Sequence, residues 1–218
     1  KTFKGLGEAA KYGPIQATVL VGLISGLIYI TNGAEYHYSK EVLIANNEAS
    51  NMNPYNCINS KELICNIGNK LNIRAIIIGD SHAEAITTSL SSIFNLDNEG
   101  IISITKSACP FIINSLSTKS GDECYKENNK RKKFLNENYH TVPVFWVART
   151  GVYLYGQSNP KRINNALDIK PSIYFTEPQD KFTPTLYKEF EENLKLTFDT
   201  IVEHHPVYIV KPIPEMRK

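Results

Sequence analysis

Residues 74–86, Arg-Ala-Ile-Ile-Ile-Gly-Asp-Ser-His-Ala-Glu-Ala-Ile, constrain the fold more than any other stretch. Residues 75–78 are short, wholly apolar and rich in isoleucine. Such a run reads as a strand buried on both faces, the kind found in parallel sheets. Gly79 ends the run and permits a sharp bend. Asp80, Ser81 and His82 come next, and residues 83–94 read as a helix. Ser81 is therefore expected on a strand-to-helix turn, at the carboxyl end of a strand. Open α/β sheets place their ligands there. The free N–H groups of the helix start also suit a developing negative charge.

The chain downstream repeats this alternation. Strands are expected at 100–105, 142–148 and 206–210, and helices at 122–139 and 185–204. The last helix carries an apolar stripe of Leu186, Phe190, Leu194, Phe198 and Ile201. Strands alternating with helices predict an α/β fold with a parallel sheet covered on both faces. Its carboxyl edge would gather residues 80–81, 107–109, 149–151 and 211–215. His204 and His205 precede the last strand, at the opposite edge, and are expected to face solvent or cap a helix.

Residues 14–31 contain no charge. That length just reaches what a membrane-spanning helix needs. Pro14 suits a first helical turn. Tyr12 and Tyr29 stand near the ends, where interfacial aromatics belong. Gly22 and Gly26 form a small-xxx-small pair that lets another membrane helix approach. Lysines before the run put the N-terminal side in the cytoplasm and the downstream chain outside. A signal peptide or a buried soluble helix are the competing readings; residues 32–35 make a poor cleavage site. Residues 34–71 are polar and asparagine-rich, with a short helix expected at 40–47. The expected organisation is thus flank and membrane helix at 1–33, connector at 34–71 and α/β domain at 72–218.

The chain has 218 residues, 42% of them hydrophobic, and a net charge of +2. That suffices for one domain with a core plus a small appendage. A charge so near zero argues against a nucleic-acid partner, and the basic run 130–133 reads as a solvated helix face. Cys57, Cys65, Cys109 and Cys124 form no Cys-x-x-Cys pair, so no metal site is expected. An even count at local spacing suggests disulfides in an oxidising compartment, with four buried thiols as the alternative. Three connectivities are open. The two short loops, Cys57–Cys65 and Cys109–Cys124, are the expected pairing.

Gly79-Asp-Ser-His82 at the end of an apolar strand resembles the first block of SGNH (GDSL-type) hydrolases and acyltransferases. The layout more closely resembles the SGNH domain that follows the last membrane helix of acyltransferase-3 proteins. The membrane run, the cysteine-bearing connector, Ser107-Ala-Cys-Pro110, the strand end at Arg149 and Pro212-Ile-Pro-Glu215 share in the likeness. The resemblance implies a three-layer, flavodoxin-like SGNH fold in the periplasm, anchored in a bacterial inner membrane. It implies acetyl transfer to a surface polysaccharide such as lipopolysaccharide O-antigen, with Ser81 as nucleophile. The glycan and the other membrane helices of the same protein are the expected partners. No cofactor is expected on this domain; acetyl-CoA is the implied donor upstream.

A serine hydroxyl needs a base to take its proton, and the tetrahedral oxyanion needs donors. The Ser81 N–H and the Arg149 guanidinium are the candidate donors. Asp80 is expected to fix the turn, and His82 and Ser107 to meet substrate. The competing readings are a helix cap for Ser81, a surface ion pair for Arg149 and a plain turn for Asp80. The family pattern of Gly and Asn in the second and third blocks does not appear cleanly. The Asp-x-x-His block is absent too, so the catalytic histidine is expected beyond Lys218 in a C-terminally truncated sequence. An anchored esterase and a catalytically inactive glycan-binding domain are the alternatives.

Overall fold

The structure, a computed structural model, describes residues 5, 7, 11–33, 35–49, 53–60, 62–156 and 170–211. They fall into two compact units, 1–52 and 53–218.

In the first unit, helix α1 (Gly13–Ile30) has Pro14 in its first turn. It is 18 residues long with mean hydropathy 1.7, and none of it is buried. Thr18 and Thr31 donate their hydroxyls back to the carbonyls of Pro14 and Leu27, so neither adds an unpaired polar group to the helix surface. By length and composition α1 can cross a membrane; a signal sequence passes the same test. Helix α2 (Lys40–Ala49) comes next, at the place expected for a short helix.

The second unit is a mixed α/β fold. Its strands are β1 (Cys65–Gly68), β2 (Ile73–Gly79), β3 (Gly100–Thr105), β4 (Leu116–Ser117), β5 (Val144–Val147), β6 (Ile173–Tyr174) and β7 (Val207–Val210). Its helices are α3 (Ser81–Ser91), α4 (Glu123–Glu137), α5 (Thr150–Tyr155) and α6 (Pro184–Val202). The main sheet runs β1-β3-β2-β5-β7, and β4 pairs with β6 apart from it. Strands β3, β2, β5 and β7 are parallel. Taken in chain order, these four give the order 2-1-3-4, so the chain turns back across β2. That is the flavodoxin-like arrangement, with its switch point between β2 and β5.

Strand β1 corrects the all-parallel expectation, because it runs antiparallel to β3. Only residues 69–72 join β1 to β2, and a parallel return needs a dozen or more. The link passes over Gly100, where a Cβ would lie 2.3 Å from the Asn69 carbonyl oxygen. The sheet thus begins inside the stretch expected to be connector.

Period-two alternation assigns the two faces. Ile76, Ile78, Ile102, Ile104, Val144 and Trp146 pack against α4 and α6 through Phe134, Leu135, Leu186, Phe190 and Ile201. Ala75, Ile77, Ile101 and Val147 pack against Ala83 and Leu90 of α3. Ile76, Ile77 and Ile78 are wholly inaccessible, so each contributes about 2–3 kcal/mol of burial. The Trp146 indole N–H donates to the Phe111 carbonyl at 2.8 Å, which satisfies the polar atom of the largest buried side chain.

The disulfides pair Cys57 with Cys65 and Cys109 with Cys124, as expected. His205 departs from the sequence reading. It is buried at 3% exposure, with Nδ1 3.0 Å from the Val142 carbonyl oxygen and Nε2 2.9 Å from that of Leu135. His204 stacks on His140 at 4.4 Å. The His205 ring thereby joins the segments that enter β5 and β7 to the end of α4. The turn 212–215 lies outside the described residues.

Candidate active site

The register aligns the carboxyl ends of the parallel strands: Gly79 faces Thr105 and Val147, and Val147 faces Val210. Gly79 is required where it stands. Its φ is +153°, and a Cβ would lie 1.7 Å from the Val147 carbonyl oxygen. The absence of a side chain lets β2 and β5 close at the switch point, and the chain then leaves the sheet sharply.

Asp80 caps α3. Its Oδ1 accepts the His82 N–H at 2.8 Å. Its Oδ2 accepts the Arg149 N–H at 2.9 Å and the Tyr153 hydroxyl at 2.8 Å. Asp80 is 1% exposed, so a carboxylate with fewer donors would be costly there. It ties the β2 turn to the end of β5 and to α5. Because Asp80 is the cap, Ser81 is the first helical residue, and it is exposed. The reading of Ser81 as a helix cap therefore fails: Asp80 already caps the helix. His82 is half-exposed, with Nδ1 3.4 Å from Asp80 Oδ1 but outside hydrogen-bonding geometry.

These residues open onto one cavity of about 350 Å³. Asp80, Ser81, His82, Ser107 and Arg149 all line it, so five residues singled out in the sequence converge. Sequence reasoning missed Ser117, Lys119, Tyr153, Lys170 and Ser172, which line it too. Tyr153 carries no motif; it lies in a weak helix pattern. Ser117 and Lys119 belong to a turn bridged between Ser117 and Gly121, and the Lys-Ser-Gly-Asp run at 119–122 was its only signal.

A buried polar layer supports the loop that follows β3. Asn128 of α4 donates to the carbonyls of Pro110 and Ile112 at 2.9 and 3.0 Å. Arg131, one turn on, donates from Nη1 to the Cys109 carbonyl at 3.2 Å. Cys109–Cys124 anchors the same loop covalently to the start of α4. Burial pushes Arg131 down to about 10, against the pull of Glu127, Tyr153 and Asp80. Burial, then the Asp80 carboxylate, pushes the Tyr153 hydroxyl well above the ordinary phenol range, so it stays a donor.

Glu84 fixes the far side of α3. Its carboxylate accepts the Thr105 hydroxyl at 2.9 Å and an Asn53 amide N–H at 3.0 Å. The nucleophile candidate thus sits on a helix pinned at both sheet neighbours. The arrangement offers an exposed hydroxyl at a helix start, its own backbone N–H beside it and a guanidinium on the facing strand end. Acyl transfer needs those elements. Among the described residues no group of three or more histidine, cysteine, aspartate or glutamate side chains is placed to hold a metal.

The model of the family described as "SGNH domain (fused to AT3 domains)" matches residues 50–218. Searches of curated proteins and of solved structures return no match.

Proposed function

Since the chain belongs to the SGNH domain family, whose fold carries esterase- or acyltransferase-type activity, we propose that it transfers an acyl group, acetyl in the first instance, to hydroxyls of a cell-surface polysaccharide. The supporting observation is Ser81: exposed, first in α3, and sharing one cavity with Arg149. Ser81 Oγ attacks the acyl carbonyl as a base takes its proton. Charge gathers on the carbonyl oxygen, where the Ser81 N–H and the Arg149 guanidinium stabilise it. The donor's leaving group departs with a proton, and an ester remains on Ser81. A sugar hydroxyl then repeats the attack and carries the acyl group away.

Asp80 acts by holding the turn and the β5 end in register, and His82 and Ser107 meet the substrate. The base comes from the Asp-x-x-His block that the family likeness implies. The acyl group comes from acetyl-CoA through an acyltransferase-3 portion of the same protein, with this domain in the periplasm of a bacterial inner membrane. The lipopolysaccharide O-antigen is the proposed acceptor.

Ser81→Ala in the full-length protein abolishes glycan acetylation; undiminished acetylation would refute the nucleophile role. A second reading, an anchored esterase that releases acyl groups to water, draws on the same exposed hydroxyl. It is favoured if a model ester is hydrolysed without any glycan acceptor present.

A further inference from the structure

The cavity's charges are one-sided. Among its described lining residues Asp80 is the only acid, and it is buried and occupied by three donors. Arg131 lies behind it, near enough to feel its charge, and offsets it from inside. The cations that line the cavity are Arg149, Lys119 and Lys170. Lys170 is paired with exposed Asp180. The Lys119 ammonium has no hydrogen bond or ion pair among the described residues. Its position is nonetheless built: the Ser117 hydroxyl accepts the N–H groups of both Lys119 and Ser120 at 3.2 Å. The remaining polar lining is the His82 imidazole and the hydroxyls of Ser81, Ser107, Ser117, Thr118, Tyr153 and Ser172.

A cleft lined by one sign of charge concentrates ligands of the other, and hydroxyls match a saccharide. We propose that the cavity selects an acidic saccharide, with a carboxylate of the sugar held by Lys119. This rests on the cavity being the acyl-transfer site, and it narrows the acceptor to an anionic glycan. Lys119 acts as a point charge on a flexible stem, so it can reach a carboxylate without a fixed geometry.

The test uses the full-length protein carrying Ser81→Ala, which binds without turnover, and two probes: trigalacturonate and the neutral maltotriose. Trigalacturonate binds about tenfold or more tightly than maltotriose, and its advantage shrinks as salt rises from about 50 to about 300 mM. Lys119→Glu in the same background removes most of the advantage, and Lys119→Arg keeps it. Equal binding of the two probes overturns the proposal, as does a preference that survives Lys119→Glu or is lost in Lys119→Arg. Displacement of trigalacturonate by an equal concentration of inorganic phosphate also overturns it, in favour of a phosphate pocket. The acyl-transfer reading is tested apart, by transfer of acetyl from 4-nitrophenyl acetate to a glycan hydroxyl in wild type against Ser81→Ala. Its failure leaves the binding comparison readable, and the converse holds too.

Discussion

Asp80 accepts three hydrogen bonds, from the start of α3, the end of β5 and α5. Its work is positional, and Tyr153 is part of it. Tyr153→Phe leaves a buried carboxylate one donor short, which costs about 2 kcal/mol, and lowers kcat several-fold by loosening the Arg149 end. The same variant has a pH signature. Tyr153 stays protonated in the folded state above its ordinary range, while the unfolded chain ionises near pH 10. The folded state then binds more protons, so stability is complete below about pH 10 and declines above it. Denaturation from pH 8 to 11, taken as wild type minus Tyr153→Phe, shows that decline; a flat difference contradicts the account. The Gly79-Asp-Ser-His82 block was legible because its residues are contiguous and its strand unmistakable. Tyr153 and Lys119 were not, since chain topology alone brings them to the cavity. The burial of His205 was hidden too, because nothing local distinguishes a packing histidine from a solvated one.

At the scale of elements, the close approach of β2 to β5 depends on one missing side chain. Gly79→Ala puts a methyl 1.7 Å from the Val147 carbonyl oxygen, so the strands must part. A loss of about 4 kcal/mol in urea unfolding is expected, in the range reserved for gross steric conflict; a loss under about 1 kcal/mol would show that the switch point is not so tight. The Cys109–Cys124 loop of about 15 residues adds about 3 kcal/mol on a chain-entropy estimate and holds Ser107 at the cavity. Elements with strong local signals were legible: β2, β3, β5 and β7 as apolar runs, α4 by its charged surface and α6 by its stripe. Their ends shifted by two residues at most. Strand β1 was missed because Cys-Asn-Ile-Gly is short, half polar and at an edge. Helix α5 was missed because Thr-Gly-Val-Tyr-Leu-Tyr has little helix preference. It takes its form from packing Tyr153 and Leu154 into the core.

For the whole molecule, the division into units 1–52 and 53–218 separates an unburied apolar helix from a disulfide-bonded α/β fold. Deleting residues 1–52 releases the remainder from membranes and leaves its Tm within about 4 °C, the shift that about 1 kcal/mol produces in a domain this size. Persistent membrane association of the shortened protein would place the anchor elsewhere. The sheet order was not readable from the chain, because apolar runs give strand identity but not neighbours. The order matters most here, since it brings Ser81 and Arg149 to one edge.

The most direct measurement is labelling of the full-length protein with a serine-directed fluorophosphonate, followed by peptide mapping and assay of the same sample. The label is expected on Ser81, with activity lost in proportion to its occupancy. A label carried by a different residue, or full activity in protein whose Ser81 is labelled, would contradict the assignment.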